Sequence, residues 1–372
     1  MAGGYSSVFE SAMTSNWLMQ SIDNHRGGRM AGAEQDDLEA RIRRSIDAYH
    51  EAALVYAAVK LGLPEKMGMQ SWTAESLVAE LGLSPPNVAR FLRGLATLGI
   101  CAEGGDGSFT LTSGGQSLRA DSPSRLAKKV QIVVEQYWMP WTNLVGSLQT
   151  GKPAFDQVFG INVRDWRRDH GQQGAMFEFY LTAETFDQAG SIIEVLECAG
   201  EVKNVADIGG GCGALLAPLL IAFPHLSGVL FDKPDLIEMA KPFLQVFAQF
   251  RLPERIELVA GDILSGIPVK ADVYLLKGVL QQWDDAEALA ILRNCRAAML
   301  DGTRLAIIER LMPERAADDP AAVMLDLHMM TITGGRVRSL AESEALLGQA
   351  GLSLSKVNPT QSGLTIIEAV PA

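Results

Sequence analysis

Cysteine is scarce in this sequence, and basic residues are fewer than acidic ones. The four cysteines form no CxxC pair and have no histidine at metal-ligand spacing beside them: Cys101, Cys198, Cys212 and Cys295. This pattern argues against a metal site and indicates a reducing, cytoplasmic compartment. The chain has 32 Lys and Arg against 44 Asp and Glu, a net charge of -12. Because that charge repels polyanions, nucleic acid is a poor partner.

Long apolar runs are missing as well. No stretch reaches the roughly 18 apolar residues that a transmembrane helix needs, and the first 21 residues do not have the pattern of a signal peptide. We therefore expect no membrane partner. The 372 residues, 48% of them hydrophobic, suffice for two domains with at least one large core.

The composition and hydrophobic pattern of the sequence change twice along the chain. Residues 1–35, rich in Gly, Ser and Met, are expected to form an N-terminal arm. Residues 36–190 have mainly helical patterns, which predict a separate helical region. Residues 191–372 alternate short apolar strands with helices, which predicts a parallel α/β sheet.

The first half has the order helix, turn, helix, hairpin, which is typical of a winged helix. Thr73 begins one helix, Gly82 ends it, and "SFTLT" after a Gly-rich turn predicts a strand. A winged helix can read DNA, so a transcriptional regulator is one hypothesis. The helix that would enter the major groove has only Arg90 and Arg93 as basic residues, which favours a structural or dimer-forming role.

An apolar helix precedes this winged-helix pattern. Its apolar residues recur at three- and four-residue steps and become denser toward "ALVYAAVKLGL", beginning with Leu38, Ile42, Ile46 and Tyr49. A helix this apolar must bury more than one face. A second subunit is one partner that would cover it.

Two segments in the middle of the chain are crowded with large side chains. Core packing explains most such clusters, but an apolar pocket for a flat organic substrate needs the same lining, so both interpretations stand. The candidate pocket residues in these segments are Trp138, Met139, Trp141, Phe177 and Tyr180.

Acidic residues follow three successive predicted strands. Asp207 ends the first, just before the glycines of "DIGGGCG", which would let a ligand approach the start of a helix. Asp232 ends the second, where a carboxylate can accept from both ribose hydroxyls. Asp262 and Ile263 follow the third and could hold an adenine. A plain tight turn is the alternative for the glycines, but together these residues predict a nucleoside-binding crevice.

From about Asp37 to the C-terminus the chain resembles the plant-type and bacterial small-molecule O-methyltransferases. The matching segments include "LQTGKPAF", "VADIGGGCGALL", "LFDKPDLIE", "LLKGVLQQWDDAEALAILRNCRAAML" and "DLHMMTITGGRVRS". The resemblance implies that residues 191–372 form a Rossmann-like domain with a seven-stranded, mostly parallel sheet. It implies that residues 36–190 form a winged-helix domain that makes a homodimer, followed by a helical segment around the substrate pocket. It also implies S-adenosylmethionine as cofactor, S-adenosylhomocysteine as product and a small aromatic natural product as substrate.

Site residues can be carried over from the family position by position. The glycine-rich motif would hold the methionine moiety, the next two acids the ribose and the adenine, and Lys277 would lie near the cofactor. Trp283 would pack beside the active site, although a plain core tryptophan fits equally well. The implied cofactor residues are Asp207, Gly209, Gly210, Gly211, Asp232, Asp262, Ile263, Lys277 and Trp283. Met324 and His328 lie on a segment that lines the substrate pocket in the family.

The chain departs from the family at its catalytic base. Plant-type members read HDWDD, and the first histidine removes the acceptor's proton; Gln281 stands there in this chain. One supporting glutamate is kept as Glu309, and the other is Val337. Because alignment of reactants can contribute more than a general base, methyl transfer to oxygen or carbon is still expected, by proximity or with Glu309 or His328 as a replacement base.

Two further alternatives stay open. "GGRVRS" resembles the segment of a cofactor-binding relative, the aclacinomycin 10-hydroxylase type, that does not methylate, so hydroxylation, decarboxylation or cyclisation is the second hypothesis. Arg336 and Arg338 in that segment could contact an anionic substrate, although ion pairs within the fold are the commoner role.

Overall fold

The computed structural model describes residues 31–196, 198 and 202–372. The chain divides into two compact units, Met1–Gln116 and Ser117–Ala372. Most of the N-terminal arm expected over residues 1–35 lies outside the described residues, and its last five residues are helical. The helical segment up to residue 190 falls in the second unit, because buried Ala189 and Ile192 join a core of the α/β sheet.

The first unit contains the predicted succession of helices and a hairpin. Its elements are α1 (Ala31–Lys60), α2 (Leu63–Met67), β1 (Ser71–Trp72), α3 (Ala74–Leu81), α4 (Pro85–Thr97), β2 (Cys101–Glu103), β3 (Phe109–Leu111) and α5 (Ser113–Gln116). The strands form an antiparallel sheet in the order β1-β3-β2. Thr73 and Ser76 form a capping box at the start of α3, and Gly82 ends this helix in a left-handed conformation, as expected.

An apolar stripe on α1 is exposed in the described unit. Its members are between 52% and 66% exposed and lie at helical spacing: Leu38, Ile42, Ile46 and Tyr49. An isolated helix in water does not normally present such a stripe to solvent, because burying apolar surface is favourable.

The second unit begins with short helices. They are α6 (Leu126–Ile132), a π-helical turn (Val133–Tyr137), α7 (Trp138–Thr142), α8 (Leu144–Thr150), α9 (Ala154–Phe159), α10 (Val163–Asp169) and α11 (Gly171–Ile193). A π-helical turn inserts one residue into a helix and redirects the side chains on it. Here it ends at Tyr137, which faces the candidate site described below.

The remainder of this unit is the predicted α/β domain. Its elements are β4 (Asn204–Ile208), α12 (Leu216–Ala222), β5 (Ser227–Asp232), α13 (Pro234–Gln245), a 3₁₀ turn (Ala248–Phe250), α14 (Leu252–Arg255), β6 (Ile256–Ala260), β7 (Val273–Lys277), a 3₁₀ turn (Leu280–Gln282), α15 (Asp285–Ala298), β8 (Arg304–Glu309), α16 (Pro320–Ile332), α17 (Leu340–Gln349), β9 (Leu352–Pro359) and β10 (Thr365–Pro371).

The sheet has seven strands in the order β6-β5-β4-β7-β8-β10-β9. The first five run parallel, and β10 pairs antiparallel with both β8 and β9. This confirms the seven-stranded, mostly parallel sheet. Apolar cores cover both of its faces, which is why the central strands are continuous apolar runs. Within the described ranges, no helix has the length and apolarity to cross a membrane.

Candidate active site

The chain turns back on itself where β4 ends. Gly211 has φ +58°, a left-handed conformation that glycine adopts without strain. A Cβ on Gly210 would lie 2.5 Å from Cγ of Asp207, so no side chain fits there. The loop therefore packs its bare backbone against the carboxylate of Asp207.

The carboxylate of Asp207 is buried and incompletely paired. Its Oδ2 has no hydrogen-bond partner among the described residues. The pKa of Asp207 is raised to about 7. Burial is the largest cause, the neighbouring Asp232 charge adds to it, and the Lys277 ammonium opposes both. Because a buried polar oxygen is costly without a partner, this site fits a ligand that brings an ammonium group or other donor. The amino group of a methionine moiety is such a donor.

Asp232 lies beside this loop at the end of β5. Its Oδ2 accepts the N–H of Gly211 at 2.8 Å, and its Oδ1 accepts the N–H of Lys233 at 2.7 Å. Burial raises the pKa of this carboxyl group. The two backbone donors fix the orientation of the carboxylate, and each oxygen keeps a lone pair that could accept a hydroxyl of a ribose.

Asp262 and Ile263 follow β6, the next strand of the sheet. Asp262 is exposed, and its Oδ1 accepts the N–H of Leu264 at 3.0 Å. The side chain of Asn294 donates to the carbonyl of Ile263 at 2.8 Å, which fixes this turn. The three predicted acids thus stand at the ends of three adjacent parallel strands.

Lys277 ends β7, the strand that pairs with β4 on the side opposite β5. Its Nζ donates to Oγ1 of Thr185 on α11 at 3.1 Å. Burial lowers the pKa of Lys277, whereas the carboxylates of Glu184, Asp207 and Glu309 raise it. The charges of three carboxylates therefore favour the protonated form of Lys277, and Thr185 accepts a hydrogen bond from it. Thr185 and Glu184 carried no signal in the sequence, because they belong to a helix far from the motif.

Gln281 is held by its backbone. Its N–H donates to Oε1 of Glu309 at 3.0 Å. Glu309 is buried at the end of β8, and burial raises its pKa to about 7. The side-chain amide of Gln281 is half-buried and makes no hydrogen bond within the part of the chain that the structure describes. It is thus available to a ligand.

Arg338 ties down the same loop. The guanidinium, only 4% exposed, donates to the carbonyls of Leu280 at 3.0 Å and Trp283 at 2.9 Å. It also pairs with Asp285 at 2.8 Å. Arg336 pairs with Asp285 and Glu342 at the surface. Both arginines therefore make ion pairs within the fold, and the structure does not support their assignment to an anionic substrate.

The glycine pair of "GGRVRS" packs on this loop too. A Cβ on Gly335 would lie 2.2 Å from the carbonyl oxygen of Gln281. Val337 is buried, and its N–H donates to Oδ1 of Asp326 at 2.8 Å. The segment therefore acts as a brace for the loop that carries Gln281.

Trp283 is covered by a cation. The guanidinium of Arg164 lies 3.6 Å from the centroid of the indole, and its Nη2 donates to the carbonyl of Gln282 at 2.6 Å. Trp283 also packs against the apolar core. Both roles considered for it, site residue and core residue, are compatible with this position. The run "RDWRRD" around Arg164 has the composition of a solvated surface and gave no sign of this stacking.

His328 on α16 lies among aromatic side chains. Its Nδ1 accepts the indole N–H of Trp141 at 3.2 Å, and the ring of Tyr137 meets it edge-on, with centroids 4.5 Å apart. The pKa of His328 is lowered to about 4, mainly by burial and also by the nearby Arg167 guanidinium. The imidazole is therefore neutral near pH 7 and a weak base.

Arg167 is a half-buried cation that the sequence did not single out. It donates to Oε1 of Gln136 at 2.9 Å and to the Tyr137 hydroxyl at 3.2 Å, and it stacks on Phe177. Burial lowers its pKa. Burial also raises the pKa of Glu178 to about 7, and Arg167 opposes that shift.

The predicted pocket residues divide into two groups. Trp141, Phe177 and His328 are brought together around Tyr137 and Arg167. The others are half-buried or exposed: Trp138 and Tyr180 in the first class, Met139 and Met324 in the second. No group of three metal-ligating side chains occurs among the residues described, and the four cysteines are buried free thiols.

Comparison with known proteins gives matches along most of the chain. A model of the O-methyltransferase domain matches residues 141–353. A phenazine O-methyltransferase of Lysobacter antibioticus is 31% identical over 350 residues, which cover 94% of this chain and 99% of that protein. The solved structure of a mitomycin 7-O-methyltransferase has a TM-score of 0.85 and 31% identity, covering 92% of this chain and 100% of that one.

A further solved structure contains ligands. It is an O-methyltransferase from neocarzinostatin biosynthesis in complex with S-adenosylmethionine and 2-hydroxy-5-methyl naphthoic acid. Its TM-score is 0.75 and its identity 28%, over 87% of this chain and 96% of that one.

Proposed function

This chain belongs to the O-methyltransferase family, and from that premise we propose that it methylates a small aromatic natural product, on oxygen or on carbon, without a histidine base. S-adenosylmethionine, when bound, supplies an activated methyl group. The relatives named above act on or bind aromatic compounds, a phenazine and a naphthoic acid among them. Biosynthesis of an antibiotic or a related metabolite is the setting that suits such a substrate.

One observation carries the cofactor assignment. The unpartnered Oδ2 of Asp207 lies beneath a glycine loop, next to a carboxylate that Gly211 and Lys233 hold in place. The first oxygen suits the ammonium of the methionine moiety, and the Asp232 carboxylate suits the ribose hydroxyls. We assign the adenine to Asp262 and Ile263 at the end of β6, and a place beside the cofactor to Gly209, Lys277 and Trp283.

The loop around Gln281 orients the acceptor in this proposal. A glutamine amide donates and accepts hydrogen bonds but takes no proton near neutral pH. Glu309 and Arg338 fix the loop backbone on both sides of Gln281. A fixed loop holds the acceptor in line with the methyl group, and such alignment can be worth effective molarities of about 10⁵–10⁸ M.

A replacement base is the less favoured alternative. His328 has its Nδ1 lone pair engaged by Trp141, and its pKa of about 4 makes it a weak proton acceptor. Glu309 is buried with Oε1 bound to a backbone N–H, and its place in the fold is that of a loop anchor. An acidic acceptor hydroxyl or an enol carbon would need neither group.

Two further assignments are part of the proposal. The exposed apolar stripe on α1 supports a homodimer formed through the N-terminal unit, which we propose to be a winged helix. The four free thiols support a cytoplasmic location, where thiols stay reduced.

The activity is tested by following S-adenosylhomocysteine. Purified protein is incubated with S-adenosylmethionine and a panel of hydroxylated naphthalenes, phenazines and anthraquinones. Formation of S-adenosylhomocysteine together with a methylated product is expected. Conversion of a substrate without formation of S-adenosylhomocysteine would favour the non-methylating relatives. Asp232→Ala is expected to abolish cofactor binding in calorimetry, whereas Glu238→Ala, an exposed acid on α13, is expected to leave it unchanged.

Gln281→His tests the missing base. If alignment carries the reaction, the variant stays active or gains rate, because the loop anchors remain. Complete inactivation would show that Gln281 itself contacts the acceptor in a way that histidine cannot reproduce.

A further inference from the structure

The hydrogen bond between Trp141 and His328 determines which imidazole nitrogen carries the proton. An indole N–H is a donor only, so His328 must present a lone pair at Nδ1 to accept it at 3.2 Å. In the neutral ring the single proton then resides on Nε2. His328 is therefore a hydrogen-bond donor at Nε2 and has no free lone pair.

The residues around His328 favour the neutral imidazole with its proton on Nε2. Protonation of Nδ1 would set two N–H donors against each other, and it would place a second cation beside the Arg167 guanidinium. The ionisable groups that face the ring are that guanidinium and the Tyr137 phenol, whose hydroxyl accepts from Arg167. Tyr137 meets the ring edge-on, and the indole of Trp141 lies beside it, with its plane tilted by 24° and its centroid 6.2 Å away, so aromatic side chains restrict the rotation of the imidazole.

The Nε2–H has no hydrogen-bond partner within the described ranges of the chain. Among those residues, the only hydrogen bond of the His328 side chain is the one at Nδ1. A donor in a largely buried site is normally paired, so a partner supplied by a ligand would complete it.

The position of His328 links it to the methyl-transfer site. Helix α16 contacts the segment that packs on the Gln281 loop, because Asp326 on this helix accepts the N–H of Val337 at 2.8 Å. Helix α16 also leads into Gly335, whose backbone packs on the loop of Gln281. His328 therefore lies on the helix that braces the loop of Gln281, which is the loop that orients the acceptor in the proposed function.

We propose that His328 selects the substrate by donating its Nε2–H to a substrate atom that carries no proton of its own. Such an atom is a carbonyl oxygen or an aromatic ring nitrogen. The inference rests on the proposed function, because it concerns the substrate of that site. It makes His328 a specificity residue, with Trp141 as the residue that positions it, and it removes His328 from the candidates for the base.

The test compares isosteric ligands. Dissociation constants of the hydroxyquinoline isomers and of 1-naphthol are measured by calorimetry in the presence of S-adenosylhomocysteine. The quinolines differ from 1-naphthol by a ring nitrogen that can accept. At least one isomer is expected to bind wild-type protein about 10-fold more tightly than 1-naphthol does. In His328→Phe this preference is expected to disappear, while the dissociation constant of 1-naphthol stays within about 3-fold of its wild-type value. Absence of any preference, or a preference that persists in His328→Phe, overturns the proposal.

A second measurement does not depend on turnover or on ligand choice. Imidazole ¹⁵N spectra of the cofactor-free protein are expected to show His328 neutral at pH 7 with the proton on Nε2, and Trp141→Phe is expected to give a mixture of tautomers. A proton on Nδ1 in the wild-type protein refutes the proposal. A correct tautomer in a protein that never forms S-adenosylhomocysteine would instead show that the proposed function has failed. A loss of kcat of about 100-fold in His328→Phe, with a shifted pH profile, would identify His328 as the base.

Discussion

The carboxylate of Glu309 accepts the backbone N–H of Gln281 at 3.0 Å, so a buried acid at the end of β8 holds the loop that follows β7. In the proposed mechanism this is a structural contact. The geometry of the loop then requires a hydrogen-bond acceptor at position 309, but it does not require a side chain that can take up a proton.

Glu309→Gln should therefore be tolerated. The amide oxygen of glutamine can still accept the N–H of Gln281, and the change removes a buried charge. We expect kcat/KM for methyl transfer to stay within about 3-fold of wild type, whereas Glu309→Ala should lose about 10–100-fold because the loop shifts. Loss of activity in Glu309→Gln equal to that in the alanine variant would identify the carboxylate as the base.

Variants of Arg338 and Arg336 can be compared to measure what the buried guanidinium of Arg338 contributes to stability. Replacing Arg338 by Met leaves the carbonyls of Leu280 and Trp283 without their donor in a buried site, which should lower the free energy of unfolding by about 2–4 kcal/mol. Arg336→Met removes surface ion pairs that are worth less than about 1 kcal/mol. Urea denaturation of both variants measures the difference. Equal effects would mean that the buried guanidinium does not hold the loop.

The sequence predicted the parts of the structure that depend on local patterns. Continuous apolar runs ending in Asp207, Asp232 and Asp262 located three adjacent strands with an acidic residue at the end of each, because parallel strands end at the same edge of a sheet. Strand β9 was not found from its pattern, since it is an edge strand with polar and exposed residues along its length. The count of seven strands came from the resemblance.

Side-chain contacts between distant segments were beyond what the sequence could predict. Arg164 lies over Trp283, and Trp141 donates to His328, yet each pair is separated by more than 100 residues. Nothing in the spacing of either segment indicates such a pairing, because it depends on how helices pack. For the same reason the pairing of Lys277 with Thr185 appears only in the folded chain.

Asp207→Asn should separate stability from cofactor binding. The pKa of Asp207 is about 7 in the folded chain against an ordinary value near 3.9, so the native state binds more protons between these values and loses stability as pH rises through that window. Asparagine has no such charge. At pH 8 the cofactor-free variant should unfold at higher temperature, with a stability about 1–3 kcal/mol above that of wild type. At pH 5 this difference should be smaller, because the Asp207 carboxyl of the folded wild-type chain is still protonated there.

The same variant should bind S-adenosylmethionine at least 10-fold more weakly, because asparagine offers no charge to the ammonium group. Glu178 and Glu309 also have pKa values of about 7, but they are present in both proteins and cancel in the comparison. Calorimetry at the two pH values measures the affinity, and thermal melts measure the stability. Stability that is lower at pH 8 than in wild type would show that Asp207 has a partner in the native chain.

The exposed stripe of α1 gives a prediction about assembly. Ile46 lies at the centre of an apolar series with Ile42 and Tyr49, and an interface that buries these side chains would tolerate no charge there. Ile46→Glu should convert a dimer into a monomer in sedimentation-velocity experiments. Val246, 73% exposed in the second unit, supplies the control, since Val246→Glu adds the same charge elsewhere and should leave the dimer intact. If Ile46→Glu sediments as a dimer, the stripe is not the interface, and another surface must hold the two subunits together.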